Sequence, residues 1–166
     1  MERFVKDHSA LTTSFFSAQP VSALDQSDVM ELGELSRQSG EPARYNLHGS
    51  AKDELHCMVI VQPGRTYSQP RMHPSKAKSF HLVSGDMVVI TFACDGAVDS
   101  LHHLTQGKTY YAVSKQVTYH EVIAGPYERD SDDRRYAGFA PTSDAQLAGQ
   151  LWIEELIKGM KPDLPQ

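Results

Sequence analysis

The spacing of apolar residues in this chain changes from helical near the start to strand-like in the middle. Over residues 26–39 apolar side chains recur at helical spacing, Asp25 or Ser27 can cap the N-terminus, and Gly40 can end the helix. This stretch therefore predicts one short amphipathic helix that opens the fold.

The middle of the chain consists of short runs rich in Val, Ile, Tyr, Thr and Phe, separated by turn residues. The runs are LHCMVIVQPG, SFHLVSG, DMVVITFACDG, AVDSLHHLTQG, TYYAVSK and TYHEVIAG. Strands of this length at regular spacing predict an antiparallel barrel or a double-sheet jelly roll.

After the strands comes a charged, turn-like segment and then a second apolar pattern at helical spacing. Ser143 or Asp144 can cap this last helix, which is expected to pack on the barrel or on a second subunit, with Trp152 exposed. The predicted layout is a single domain over residues 1–166. It has an arm and helix at 1–40, a β-barrel at 44–124, a loop at 125–142 and a C-terminal helix at 143–160.

Composition excludes several classes of function. The formal net charge is −5 and the Lys and Arg residues are scattered, so no basic stripe for nucleic acid is expected. The sequence has neither the apolar run of a signal peptide nor one long enough for a membrane helix, which favours a cytoplasmic protein with no membrane partner. Cys57 and Cys94 lie in apolar runs and are expected to be reduced core residues.

The stretch PGRTYSQPRMHPSKAKSFHLVSG resembles the first cupin motif, in which a Gly-led turn precedes His-x-His, a Glu and a closing Gly. Arg71 and His73 stand at the two His positions, Lys78 at the Glu position and Gly85 at the closing glycine. His120 stands at the last position of the second cupin motif. The spacing is that of a cupin, but cations replace two of the usual metal ligands.

From the opening helix to about residue 141, the chain also resembles the WbuC family of cupin-fold metalloproteins, which are often encoded among bacterial O-antigen sugar genes. The matching residues are ARYNLH at 43–48, His73-Pro74, Tyr119-His120, GPY at 125–127 and FAP at 139–141. The resemblance implies a mainly β fold: a single cupin, or double-stranded β-helix (jelly-roll barrel), with a short N-terminal helix and a C-terminal helix. It implies a pocket but no particular reaction.

Two kinds of site follow from the four motif positions. A mononuclear metal would have to use His73 and His120, with help from His48 or His56, because two imidazoles alone seldom hold a metal firmly. No cofactor is therefore expected, although a divalent metal is possible. Alternatively, Arg71 and Lys78 form an anion site to which the two histidines contribute.

Further residues are candidates for the pocket. Arg44, Asn46 and His48 alternate on one side of an extended segment, where they form either a pocket rim or a structural hydrogen-bond network. Tyr119 is a candidate for the wall, although strand aromatics are more often core. His81 is expected to point away from the pocket. His102 and His103 are expected on the surface or in the second sheet.

Simpler roles exist for the same residues. Arg71 could point outward, Lys78 could pair with an acidic neighbour, and the histidines could be core residues bonded to the backbone.

The sequence leaves three functions open. The first is a metal-independent isomerase or epimerase that uses His73 or His120 to move a proton, while Arg71 and Lys78 stabilise an anion. The second is a non-enzymatic module that senses an anionic metabolite. The third is a metal-dependent isomerase or oxygenase with ligands outside the motif. The expected ligand is a small anion, with a sugar or nucleotide-sugar of bacterial polysaccharide metabolism as the leading class, and the expected assembly is a homodimer.

Overall fold

The computed structural model describes residues 3–64, 66–104, 116–127 and 135–160. Within these ranges the first half of the chain forms β1 (Phe4–Lys6), β2 (Thr13–Ser17), α1 (Gln26–Ser39), β3 (Ala43–Asn46) and β4 (Leu55–Pro63). The second half forms β5 (Arg71–Met72), β6 (Lys78–Ser84), β7 (Met87–Phe92), β8 (Val98–Leu104), β9 (Gln116–Ala124), β10 (Arg135–Tyr136) and α2 (Gln146–Met160).

Helix α1 has the predicted boundaries, and its ends are fixed by local hydrogen bonds. The Asp25 carboxylate accepts from the backbone N–H groups of Ser27 and Asp28, and the Asp28 carboxylate accepts from the backbone N–H of Asp25 in return. Gly40 ends the helix with φ of 69°, and its N–H donates to the Ser36 carbonyl at 2.9 Å. Because both caps depend on residues within a few positions, the sequence alone predicted this helix.

The largest sheet has the strand order β1-β2-β3-β4-β9-β6. Strands β2 and β3 pair in parallel because α1 connects them, and the other neighbouring strands pair antiparallel. The predicted arm at residues 1–40 therefore contributes two strands as well as a helix. Thr13–Ser17 is extended because it pairs with Ala43–Asn46, and local sequence does not reveal so distant a contact.

The two faces of this sheet pack against different layers. On the outer face Ala43, Tyr45 and Val61 form a buried cluster with Leu32 of α1. On the inner face Met58, Ile60, Leu82, Val117 and Tyr119 form a second cluster with Met87 of β7. The β7–β8 hairpin is thus the second β layer, and the predicted mainly β fold with one helix near each end is confirmed.

Helix α2 packs on the same chain rather than standing free. Trp152, expected to be exposed, stacks on Phe92 at 5.5 Å between ring centroids and lies 6.5 Å from Phe139. Gly149 lies against the ring of Tyr67, which is only 2% exposed. The large apolar side chains that α2 leaves exposed are instead Leu147 and Leu151.

Several other predictions fall differently. The first hydrogen bond of α2 runs from the Gly149 N–H to the Ala145 carbonyl, which puts Ala145 at the N-cap position. The sequence predicted Ser143 or Asp144 there, and that prediction was wrong. Cys57 and Cys94 are free thiols, but Cys94 is exposed because it lies in the turn between β7 and β8. The predicted strand TYYAVSK and the charged residues 128–134 lie outside the described residues.

The single-domain layout stays a prediction. None of the described helices is long and apolar enough to cross a membrane.

The contact between Gly149 and Tyr67 predicts an unusual response to Gly→Ala substitution. A Cβ at position 149 would overlap the Tyr67 ring, so Gly149→Ala is expected to destabilise the protein by about 1–3 kcal/mol. Gly159→Ala in the same helix has open space around its Cβ and is expected to be neutral or stabilising by up to about 1 kcal/mol. Urea unfolding of both variants measures the difference, and equal effects would contradict this packing.

Candidate functional site

A pocket of about 770 Å³ lies between the inner face of the large sheet and the β7–β8 hairpin. Such a volume is in the usual range for sites that bind small molecules. Its polar wall residues are Gln62, Thr66, Ser68, Gln69, Arg71, His73, Lys78, Ser79, His102, Tyr119 and Glu121. Its apolar wall residues are Pro70, Phe80, Met87, Val88, Val89, Ile90, Phe92 and Ile153.

Arg71 lies in the pocket wall while remaining exposed to solvent. Its Nη1 donates to Ser68 Oγ at 2.5 Å, and β5 holds its backbone opposite Tyr136 of β10. Among the described residues, no carboxylate forms an ion pair with this guanidinium. Arg71 therefore presents a cationic hydrogen-bonding group at the pocket.

The segment that precedes Arg71 is fastened to α2. The Gln146 side chain accepts from the Tyr67 N–H and donates to the Tyr67 carbonyl, each at 3.0 Å. The Tyr67 hydroxyl donates to the Pro141 carbonyl at 2.7 Å. These contacts, made across more than 70 positions of sequence, fix the backbone that leads to Ser68 and Arg71.

Lys78 is paired within the pocket. Its Nζ lies 3.1 Å from Glu121 Oε1, and the two side chains are 21% and 10% exposed. The same Nζ lies 5.0 Å from the centroid of the Phe80 ring. The sequence left Lys78 open between binding an anion and pairing with an acidic neighbour. The structure contains the pair, so Glu121 largely neutralises the charge of Lys78.

Glu121 was missed by the sequence reasoning, although a signal for it exists. Alternation along β9 puts Tyr119 and Glu121 on the same face, two residues apart. Tyr119 and Glu121 therefore both reach the pocket, and a strand register anchored on Tyr119 would have found the carboxylate.

His73 and Tyr119 both lie in the pocket wall, and Tyr119, for which the sequence left wall and core open, also belongs to the buried inner-face cluster. The Tyr119 hydroxyl donates to Gln62 Oε1 at 3.2 Å. Burial raises the pKa of Tyr119 and the Glu121 charge raises it further, while Arg44 and Arg71 act in the opposite direction. The phenol therefore stays protonated at neutral pH and offers the pocket a hydroxyl rather than a phenolate.

His120 does not reach the pocket. It pairs across the sheet with Val59 and His81, and its ring stacks at 5.9 Å from that of His81 on the outer face. The motif alignment expected an inward histidine, but its neighbours Tyr119 and Glu121 occupy the inward positions, and successive residues of a strand face opposite sides. Burial and, to a smaller extent, His81 lower the pKa of His120. His81 points away from the pocket, as expected.

Arg44, Asn46 and His48 share the inner face of the sheet but belong to a hydrogen-bond network outside the pocket wall. Arg44 Nη2 donates to Thr12 Oγ1 at 2.7 Å, and Asn46 Nδ2 donates to Ser14 Oγ at 2.8 Å. His48 Nδ1 lies 3.0 Å from the Cys57 carbonyl oxygen. Of the two roles that the sequence left open, the geometry gives the structural one.

The residues at the cupin ligand positions do not fit a mononuclear metal site. His73 and His120 lie on opposite faces of the sheet, and the suggested helpers His48 and His56 stack on each other at 4.2 Å. Within the described ranges, no three His, Cys, Asp or Glu side chains are grouped closely enough to hold a metal ion. Among the described wall residues the one carboxylate is Glu121, and it is paired with Lys78.

His102 is a further wall residue that was assigned only to the surface or the second sheet. It does lie in the second sheet, on β8, and it also lines the pocket. Its Nε2 is 3.0 Å from Ser100 Oγ. Its place in the pocket depends on how the hairpin folds over the large sheet, which the sequence of β8 does not encode.

Comparisons with known proteins give the following matches. A family model described as a domain of unknown function (DUF6016) matches residues 24–104, just under half of the chain. No protein with a curated description matches. One similar solved structure is CapF with the inhibitor 3-isopropenyl-tropolone, at 12% identity and a TM-score of 0.43, covering 58% of this chain but only 32% of CapF.

Two other solved structures are similar over a larger share of the chain. The DMSP lyase DddQ from Ruegeria pomeroyi DSS-3 has 12% identity and a TM-score of 0.43, with 67% of this chain and 70% of that one covered. A cupin 2 domain-containing protein from Halorhodospira halophila has 14% identity and a TM-score of 0.38, with 76% and 87% covered.

The Lys78–Glu121 pair predicts strong coupling between its two residues. Lys78→Met leaves the Glu121 carboxylate without this ion pair in a mostly buried position and is expected to cost about 1–3 kcal/mol of unfolding free energy. The double variant Lys78→Met, Glu121→Gln is expected to recover at least half of this loss, because the unpaired charge is removed.

The matched control is the exposed pair Lys158–Glu155, whose side chains are 68% and 75% exposed. The cycle of Lys158→Met and Glu155→Gln is expected to show no measurable coupling, because solvent screens the exposed charges. Urea unfolding measures both cycles, and additive effects at Lys78 and Glu121 would contradict the ion pair.

Proposed function

We propose that this protein binds a small anionic molecule in the pocket between the large sheet and the β7–β8 hairpin, with Arg71 as the group that binds the anion. The main support for this proposal is that Arg71 lies in the pocket wall and forms no ion pair with any described carboxylate. A guanidinium is a planar fork of donors that matches a carboxylate or a phosphate oxygen pair.

The other polar wall residues support binding rather than metal chemistry. Tyr119 contributes a protonated hydroxyl and His73 an imidazole, while the charges of Lys78 and Glu121 offset each other. The net charge of these ionic side chains is therefore set by Arg71. A ligand with one negative charge would leave the pocket close to neutral, which is favourable where water is partly excluded.

Acid–base catalysis by His73 and His120 together receives no support from this geometry, because the two side chains lie on opposite faces of the sheet. Any proton transfer at the pocket would fall to His73. We therefore propose a binding or metabolite-sensing role ahead of an isomerase or epimerase. Measuring turnover of any ligand that binds distinguishes the two.

The resemblance to the WbuC family suggests a sugar or a nucleotide-sugar of bacterial polysaccharide metabolism as the ligand. This identity, the homodimer and the cytoplasmic location stay predictions. A binding panel that includes glucuronate as a sugar acid tests the first, and the mass of the protein in solution tests the second.

The role of Arg71 is tested by calorimetric titration of glucuronate, butanoate and inorganic phosphate into the wild type and two variants. Arg71→Gln is expected to weaken binding of the best probe about 10- to 100-fold, because charge-assisted hydrogen bonds are lost. Arg135→Gln is the matched control: it removes a cation from β10, which pairs with β5, but Arg135 is not in the pocket wall. Equal binding by wild type and Arg71→Gln would overturn the proposal.

The metal-dependent alternative is tested separately by measuring metal content after purification without a histidine tag or added metal. We expect less than about 0.1 divalent ion per chain, because a site with one imidazole and one salt-bridged carboxylate binds metals weakly. Near-stoichiometric metal that disappears in His73→Ala, while His120→Ala retains it, would establish a metal centre in the pocket instead.

A further inference from the structure

Two segments of the pocket wall differ in polarity, the segment that leads into β5 and strand β7. The segment at 66–71, together with Gln62, contributes mostly polar side chains, including Arg71. Every wall residue contributed by β7 is apolar, and α2 adds Ile153. The segment at 66–71 can therefore bind a charged group, whereas the β7 side chains offer only hydrocarbon, with His102 of β8 as the polar wall residue of the hairpin.

The apolar part is built into the core and cannot turn away to expose polar groups. Met87 is 2% exposed and Val88 is fully buried, and both Met87 and Val89 pack with the inner-face cluster of the large sheet. On the edge of β7 that faces β8, the backbone groups are engaged in pairing with that strand. No β7 side chain in the wall can donate or accept a hydrogen bond.

This wall discriminates between classes of anion. Hydroxyl groups of a sugar acid held against β7 would lose hydrogen bonds to water without finding partners among the β7 side chains, whereas an aliphatic chain would gain by leaving water. The Glu121 carboxylate, although paired with Lys78, lies in the same wall and disfavours a ligand with two negative charges. A monoanion with a hydrocarbon body matches both features.

We propose that the ligand is an amphipathic monocarboxylate, with its carboxylate on Arg71 and an aliphatic body along β7 and Ile153. This inference rests on the proposed function, since it names the class of anion that the same pocket takes. It replaces the sugar or nucleotide-sugar suggested by the resemblance with a more apolar molecule that carries one negative charge.

The test is a titration series of straight-chain carboxylates from butanoate to octanoate, with glucuronate, inorganic phosphate and uncharged 1-octanol for comparison. Affinity is expected to rise about 2- to 4-fold for each added methylene. Glucuronate and phosphate are expected to bind at least about 10-fold more weakly than octanoate. Arg71→Gln is expected to weaken binding of every carboxylate.

A substitution in the apolar wall separates burial of the chain from binding of the charge. Val89→Thr keeps the shape of the side chain and adds a hydroxyl, so the gain from butanoate to octanoate is expected to fall at least about 3-fold. The matched control is Val83→Thr on β6, where the side chain is 45% exposed and outside the pocket wall. It is expected to leave the series unchanged. Thermal unfolding verifies that both variants are folded.

The possible results distinguish this inference from the proposed function. If glucuronate or phosphate binds as tightly as octanoate and Arg71→Gln abolishes that binding, the proposed function stands and the amphipathic ligand is wrong. If no probe binds, or Arg71→Gln binds like the wild type, the proposed function fails. If 1-octanol binds as well as octanoate, the charge is irrelevant and both fail.

Discussion

The antiparallel pairing of β4 with β9 is the contact on which the rest of the structure depends. It joins nine residue pairs from Leu55–Ala124 to Pro63–Gln116, and each strand also pairs with a further neighbour, β3 or β6. Because successive side chains on these strands face opposite sides, the pairing determines which residues pack under α1 and which face the hairpin. A slip of one residue would exchange Tyr119 and Glu121 with His120.

The register also determines the electrostatics of the pocket. Since Glu121 faces inward beside Lys78, a position that could have been a second anion-binding cation becomes half of an ion pair. One guanidinium, at Arg71, is then left without an ion pair to any carboxylate in the described part of the wall. The motif spacing predicted a pocket with two cations, Arg71 and Lys78. Because Lys78 is paired with Glu121, the net charge of these side chains is about that of one guanidinium. Such a charge is better matched by a monoanion than by a dianionic phosphate.

The position of Arg71 depends on a different layer of the fold. Its segment is tied through Tyr67 to Gln146 of α2, and α2 itself packs against the aromatic side chains of Phe92 and Phe139 through Trp152. The helix therefore connects the polar segment of the wall with the end of the apolar strand β7. Both halves of the proposed binding surface are held by one element, so loss of α2 packing would disturb the charged and the hydrocarbon parts together.

The sequence by itself determined the features that depend on neighbours along the chain. The caps at Asp25 and Gly40 gave the boundaries of α1, the turn residues separated the strands, and Gly85 stands at the turn after β6 with a φ of 85°. Motif spacing also predicted Arg71 and His73 for one pocket, and both line it, while Tyr119, which lines it too, was only a candidate for the wall. These features are set by local hydrogen bonds and the two-residue period of strands, which a single sequence displays.

Only the tertiary structure decided which faces meet. The pairing of Lys78 with Glu121, the outward side of His120, the strands within residues 1–40 and the contribution of β7 to the wall all join residues distant in sequence. Such contacts depend on strand register and on how layers stack, and packing energies summed over the whole core set both. Residue types therefore predicted a pocket, while the assembled sheet decided its charge and its apolar wall.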